Sequence, residues 1–116
     1  KVNSNLRSTI IDDYIFAVSL EGYLVIIEKN SGNIIRSTDI FKNIKPKKRA
    51  HIKPTGFIVT TNNIYLTTNN GKLLVIDIAS GQIKSTMKIH RKKISRPMIL
   101  NQSLFVITDN SIIKLD

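Results

Sequence analysis

The chain repeats itself. The run Glu21-Gly22-Tyr23-Leu24-Val25-Ile26-Ile27-Glu28-Lys29-Asn30-Ser31-Gly32-Asn33-Ile34-Ile35 recurs as Asn70-Gly71-Lys72-Leu73-Leu74-Val75-Ile76-Asp77-Ile78-Ala79-Ser80-Gly81-Gln82-Ile83-Lys84, at an offset of 49 residues. A shorter third copy runs from Leu104 to Asp116 and matches Ile64 to Asp77 with one residue deleted. Self-similarity at this period marks an array of like supersecondary units, each of which buries its apolar face against its neighbours.

Within each copy, runs rich in Ile, Val, Thr and Tyr alternate with polar residues at period two, as in Ile64 and Leu66 against Tyr65 and Thr67, which argues for strand over helix. The spacing predicts four strands per copy, over about 8–11, 14–19, 23–28 and 33–40 in the first and 57–59, 63–68, 72–78 and 82–89 in the second. Three fall in the last copy, over about 98–100, 103–108 and 111–115. Gly22 and Gly71 precede the third strand, and Gly32 and Gly81 the fourth, where tight hairpins need positive φ. Lys53-Pro54 and Arg96-Pro97 each precede a first strand.

Successive four-stranded antiparallel sheets at this period predict an all-β partial β-propeller of about two and three-quarter blades. A sandwich of hairpins is the competing arrangement, but it gives no reason for all four strands to be duplicated. Residues 1–116 are expected to form one partial propeller. The first blade covers about 8–41, a basic connection 42–54, the second blade about 55–90, a second basic connection 91–97, and an incomplete third blade about 98–116. A sequence that opens at Lys1 and stops inside a repeat reads as a piece of a longer protein, and its bare strand edges are expected to drive self-association. Hydrophobic content of 41% fits a globular chain, and the apolar runs are strand-sized, far short of a membrane-spanning helix. The lack of Cys removes disulfides, thiolate metal sites and Cys nucleophiles from consideration.

The segments Gly71 to Gln82 and Gly22 to Asn33 resemble the "DGxLYALDxxTGxxxW" signature of pyrroloquinoline-quinone-type propeller repeats. Their spacing is most similar to that of the BamB-like outer-membrane assembly lipoproteins. That resemblance implies a non-enzymatic periplasmic scaffold, associated with the outer membrane, whose partner is the β-barrel assembly machinery. The closing Trp of the signature falls at Arg36 and Ser85, and the chain has no Trp. A quinone-dependent dehydrogenase built on the same repeats is the alternative. Such an enzyme needs a stacking Trp, a ligated Ca²⁺ and a base, which these residues do not assemble.

Charge is segregated. The net charge is +10, yet twelve of the 18 basic residues sit in two windows without a single acid, Phe41 to Pro54 and Lys84 to Arg96. Lys42, Lys45, Lys47, Lys48, Arg49, Lys53, Arg91, Lys92, Lys93 and Arg96 are therefore the candidate binding residues, on the loops between blades, where they are expected to merge into one positive rim. Such a rim suits an acidic protein partner or an anionic lipid surface, and the alternative is a pair of Lys-rich loops that are simply solvated. Nucleic acid is less well served, because Phe41 is the only aromatic residue near either cluster.

No catalytic, cofactor-binding or metal-binding set emerges. His51 and His90 fall inside the basic loops with no partner ligands nearby in sequence. Asp12-Asp13 reads as a turn, and Glu28 and Asp77 as acids that bond within their turns. Ser19, Thr67, Thr68 and Thr108 recur at the end of the second strand, where they are expected to bond within neighbouring hairpins.

Overall fold

The computed structural model describes residues 8–89, 94–108 and 111–115. The chain divides into two compact units, Lys1–His51 and Ile52–Asp116, with the boundary inside the first basic connection.

The first unit holds one antiparallel sheet of four strands, β1 (Thr9–Ile11), β2 (Tyr14–Val18), β3 (Tyr23–Glu28) and β4 (Ile34–Asp39), hydrogen-bonded in chain order. Burial concentrates on the central pair. Phe16 and Val18 of β2 and Leu24, Val25 and Ile26 of β3 are buried, whereas Ile34 and Ile35 of the edge strand β4 are exposed. Short hairpins join the strands. Asp12 adopts a φ of 53° in the two-residue turn between β1 and β2, the conformation for which Asp is favoured there.

The turn from β2 to β3 shows how local chemistry fixes the register. The Tyr23 amide donates to the Ser19 hydroxyl at 3.1 Å, while the Ser19 amide donates to the Tyr23 carbonyl at 2.9 Å. Gly22 takes a φ of 95° and is buried. The ring of Phe41, also buried, closes over it, with Cε2 only 2.6 Å from where a Cβ would stand. A side chain there would meet both a disfavoured backbone and an aromatic ring.

After β4 comes the one helix among the described residues, α1 (Pro46–Arg49), which strand periodicity does not foretell. Pro46 at its first turn presets the helical φ, and Lys45 before it is extended, as a residue preceding proline must be. No residue of α1 is buried.

The second unit holds two sheets. The four-stranded sheet comprises β5 (Pro54–Val59), β6 (Asn63–Thr68), β7 (Lys72–Asp77) and β8 (Ile83–Lys88), again in chain order. Phe57, Ile64, Leu66, Leu73, Leu74 and Ile76 form its core, and all six residues of β8 are exposed. The three-stranded sheet places β10 (Ser103–Ile107) between β9 (Met98–Leu100) and β11 (Ile112–Lys114), with Leu104 and Val106 buried. The β9–β10 turn uses Asn101 and Gln102 at φ values of 50° and 66°, as a tight hairpin of this hand requires.

The two sheets of this unit are joined through the segment before β9. The Thr55 hydroxyl lies 2.8 Å from that of Thr67 and 3.0 Å from the carbonyl oxygen of the buried Ile94. The Arg96 guanidinium donates to the Phe57 carbonyl at 3.3 Å, and the Ser95 amide to that of Ile107 at 2.9 Å. Gly56 admits this approach, because a Cβ there would collide with Arg96.

Strands were expected within a residue or two of where they lie, except β5, which begins at Pro54 and not near 57. Asn69 explains the extension, clasping Lys53 through both its amide and its side-chain oxygen at 2.9 Å. A bulge between Pro54 and Gly56 then turns Thr55 toward Ile94.

Gly32 has a φ of 75° but open space around it, so it separates backbone strain from steric conflict. Gly32→Ala should lower unfolding free energy by about 1 kcal/mol from the left-handed backbone alone. Gly22→Ala should lower it by about 1–3 kcal/mol more, through displacement of Phe41. Urea denaturation of the two variants measures the difference.

Candidate binding surface

The first basic connection grows out of the edge strand β4. Ile40 and Phe41 are buried and anchor it, with the Phe41 amide donating to Asp39 Oδ1 at 3.2 Å. Beyond them Lys42, Lys45, Lys47 and Lys48 are all exposed, the last two on α1.

Arg49 behaves differently from its lysine neighbours. Its guanidinium makes a two-pronged ion pair with Asp39, 2.8 Å to Oδ2 and 2.5 Å to Oδ1. It also reaches the Glu21 carbonyl at 3.5 Å and sits over the Tyr23 ring at 5.6 Å from its centroid. The hydrogen bond it donates to Asp39 raises the Arg49 pKa above its ordinary value. A planar guanidinium makes the fork and the ring contact together, which a lysine ammonium cannot. Arg49 therefore fastens the loop that displays the four lysines.

Lys53 is exposed just before β5. Arg96 is exposed as a residue but packs its Cβ against Gly56 and spends its guanidinium on the Phe57 carbonyl. Arg91, Lys92, Lys93 and His90 lie outside the described residues. Of the ten candidates, the structure thus brings Lys42, Lys45, Lys47 and Lys48 together on one loop and gives Arg49 and Arg96 structural bonds.

The polar residues singled out in the repeat bond within their own turns or, for Thr67, to the neighbouring strand β5. Thr68 Oγ1 accepts from the Lys72 amide at 3.3 Å, the bond that Ser19 makes one repeat earlier, and also contacts Asn70 Oδ1. Thr67 bonds the Gly56 carbonyl at 3.3 Å, and Thr108 that of Ser111 at 3.3 Å. Glu28 accepts from the Ser31 hydroxyl at 2.6 Å, and Asp77 from the Ser80 amide at 2.8 Å. Among the described residues no three His, Cys, Asp or Glu side chains gather as a metal site, and His51 is exposed. The Tyr23–Asp39–Arg49 arrangement joins residues up to 26 apart in the chain and leaves little trace in the sequence. Its one signal was that Arg49 is the only arginine in a window of lysines.

No protein-family model matches the sequence, and no curated protein matches it. Solved structures do. BamB from Moraxella catarrhalis is similar with a TM-score of 0.74 at 15% identity, over 98% of this chain and 31% of that one. The WD40 β-propeller domain of Doa1 gives a TM-score of 0.70 at 11% identity, over 93% and 34%. The β-propeller domain of Cps50 (Swd1) from Myceliophteria thermophila gives 0.67 at 17%, over 81% and 31%. The chain thus spans about a third of the length of each. At such identities the likeness speaks to fold: this is an all-β partial propeller built of antiparallel four-stranded sheets.

Because the Asp39–Arg49 pair keeps about a quarter of its side-chain surface in solvent, its loss should be modest in energy and local in effect. Arg49→Ala should lower stability by about 0.5–1 kcal/mol, with faster amide exchange confined to residues around 42–51. Arg49→Lys should restore little of the protection. Hydrogen exchange followed by mass spectrometry measures both.

Proposed function

We propose that the chain is part of a non-enzymatic propeller scaffold that docks a protein partner through the lysines of its first basic connection. The observation that carries this reading is the pinned loop. Lys42, Lys45, Lys47 and Lys48 are exposed on a segment that Phe41 and Arg49 hold to the sheet, so the charges are presented without the loop having to order on binding. Positive charge on an ordered loop steers an acidic partner and fixes its orientation.

The likeness of the fold to BamB and the repeat signature support a role in outer-membrane β-barrel assembly, with the parent protein periplasmic and associated with the outer membrane. The partner would then be a component of the assembly machinery. No helix among the described residues is long and apolar enough to cross a membrane.

The test compares the chain with its K42E/K45E/K47E/K48E variant for binding to the soluble periplasmic portion of that machinery, at low and high ionic strength. The variant should bind at least about tenfold more weakly at low salt, and added salt should abolish most of the difference. Equal binding by the two proteins refutes docking through this loop. Binding to anionic vesicles alone replaces the protein partner with a lipid surface, and a saturable quinone titration reopens the dehydrogenase reading.

A further inference from the structure

The two four-stranded sheets differ most at the end of their outer strands. In the first, Tyr23 lies opposite Asp39, and the Ile40 amide bonds the Gly22 carbonyl at 2.9 Å. In the second, one repeat later, Lys72 lies opposite Lys88, and the Ile89 amide bonds the Gly71 carbonyl at 2.8 Å. This flanking bond makes each a non-hydrogen-bonded pair, in which facing Cα atoms approach to about 4.5 Å and side chains are closest. At the first site the charge on Asp39 is matched by Arg49. At the second, two lysines face each other, an arrangement that disfavours pairing unless an anion joins them.

Among the described residues, no strand pairs with the backbone on the outer side of that site. β8 is an edge strand with all six residues exposed. Because Lys88 is in a non-hydrogen-bonded pair with β7, its own N–H and C=O point away from β7, and by alternation so do those of Thr86. The strand carries Lys84 and Lys88 and no acid, with Lys84 Nζ already bonded to Asn63 Oδ1 at 3.1 Å. β4, by contrast, carries one charge of each sign, Arg36 and Asp39.

We propose that the edge of β8 receives an acidic, extended peptide segment of a partner protein as an added strand, with a carboxylate placed beside Lys88 to join the Lys72–Lys88 row. The assignment rests on the reading of this chain as a protein-docking scaffold and names a second contact and its chemistry. Main-chain bonds to Thr86 and Lys88 supply affinity, and the lysine pair supplies selection. The same lysines repel a second copy of β8, so the edge distinguishes an acidic partner from its own kind.

The probe is a terminally blocked decapeptide alternating glutamate and threonine, with a lysine–threonine peptide as its counterpart. Binding to the full chain is followed by backbone amide shifts. The acidic peptide should bind with shifts confined to Lys72 and Ile83–Lys88. Lys88→Glu should weaken it at least about tenfold and admit the lysine peptide. Thr86→Pro, which removes an N–H that β7 does not use, should abolish both while leaving the remaining shifts intact. No binding of the acidic peptide, or binding indifferent to both variants, overturns the proposal. Shifts at residues 42–48 instead overturn the β8 site while leaving docking through the basic connection standing.

Discussion

Everything in this fold depends on one pairing, that of the second strand of each repeat with the third. β2 with β3, and β6 with β7, carry most of the buried side chains of their sheets, and the outer strands add little burial of their own. The turn joining the pair is clamped by a hydroxyl that accepts an amide four residues on, from Ser19 in one sheet and Thr68 in the other. A slip of one residue would turn Leu24 or Leu73 to the opposite face, so the clamp and the core enforce the same register.

With the core satisfied by the central strands, the outer ones are free to differ. β4 and β8 occupy equivalent places, yet one ends in an aspartate bound by arginine and the other in a lysine facing a lysine. Neither end residue contributes a ladder bond to its inner neighbour, so a change of charge there leaves the sheet intact. A repeated backbone can thus offer chemically distinct surfaces at the same station.

The amino-acid order made most of the architecture legible, for reasons that are local. Period-two alternation and recurring glycines locate hairpins because strand sidedness and positive φ are properties of adjacent residues; Gly22, Gly32, Gly71 and Gly81 all take the left-handed backbone their spacing requires. What escaped notice depends on partners far apart in the chain. α1 is a single turn started by Pro46, too short to show periodicity, and the early start of β5 depends on Asn69 gripping Lys53. The basic windows were visible as composition. That Arg49 and Arg96 are tied to Asp39 and the Phe57 carbonyl, while four lysines stand clear, is decided by geometry that charge counting does not contain.

The strip from Ile94 to Arg96, threaded between β5 and β10, bears on how the second unit assembles. Its bonds to Thr55 and Phe57 join residues 39 apart in the chain, whereas the hairpins close over a few residues. Ring closure over that span is entropically dearer than a hairpin turn, which favours closure of the hairpins of both sheets before the strip docks them together. Because β9–β11 also follow β5–β8 along the chain, order of synthesis works in the same direction.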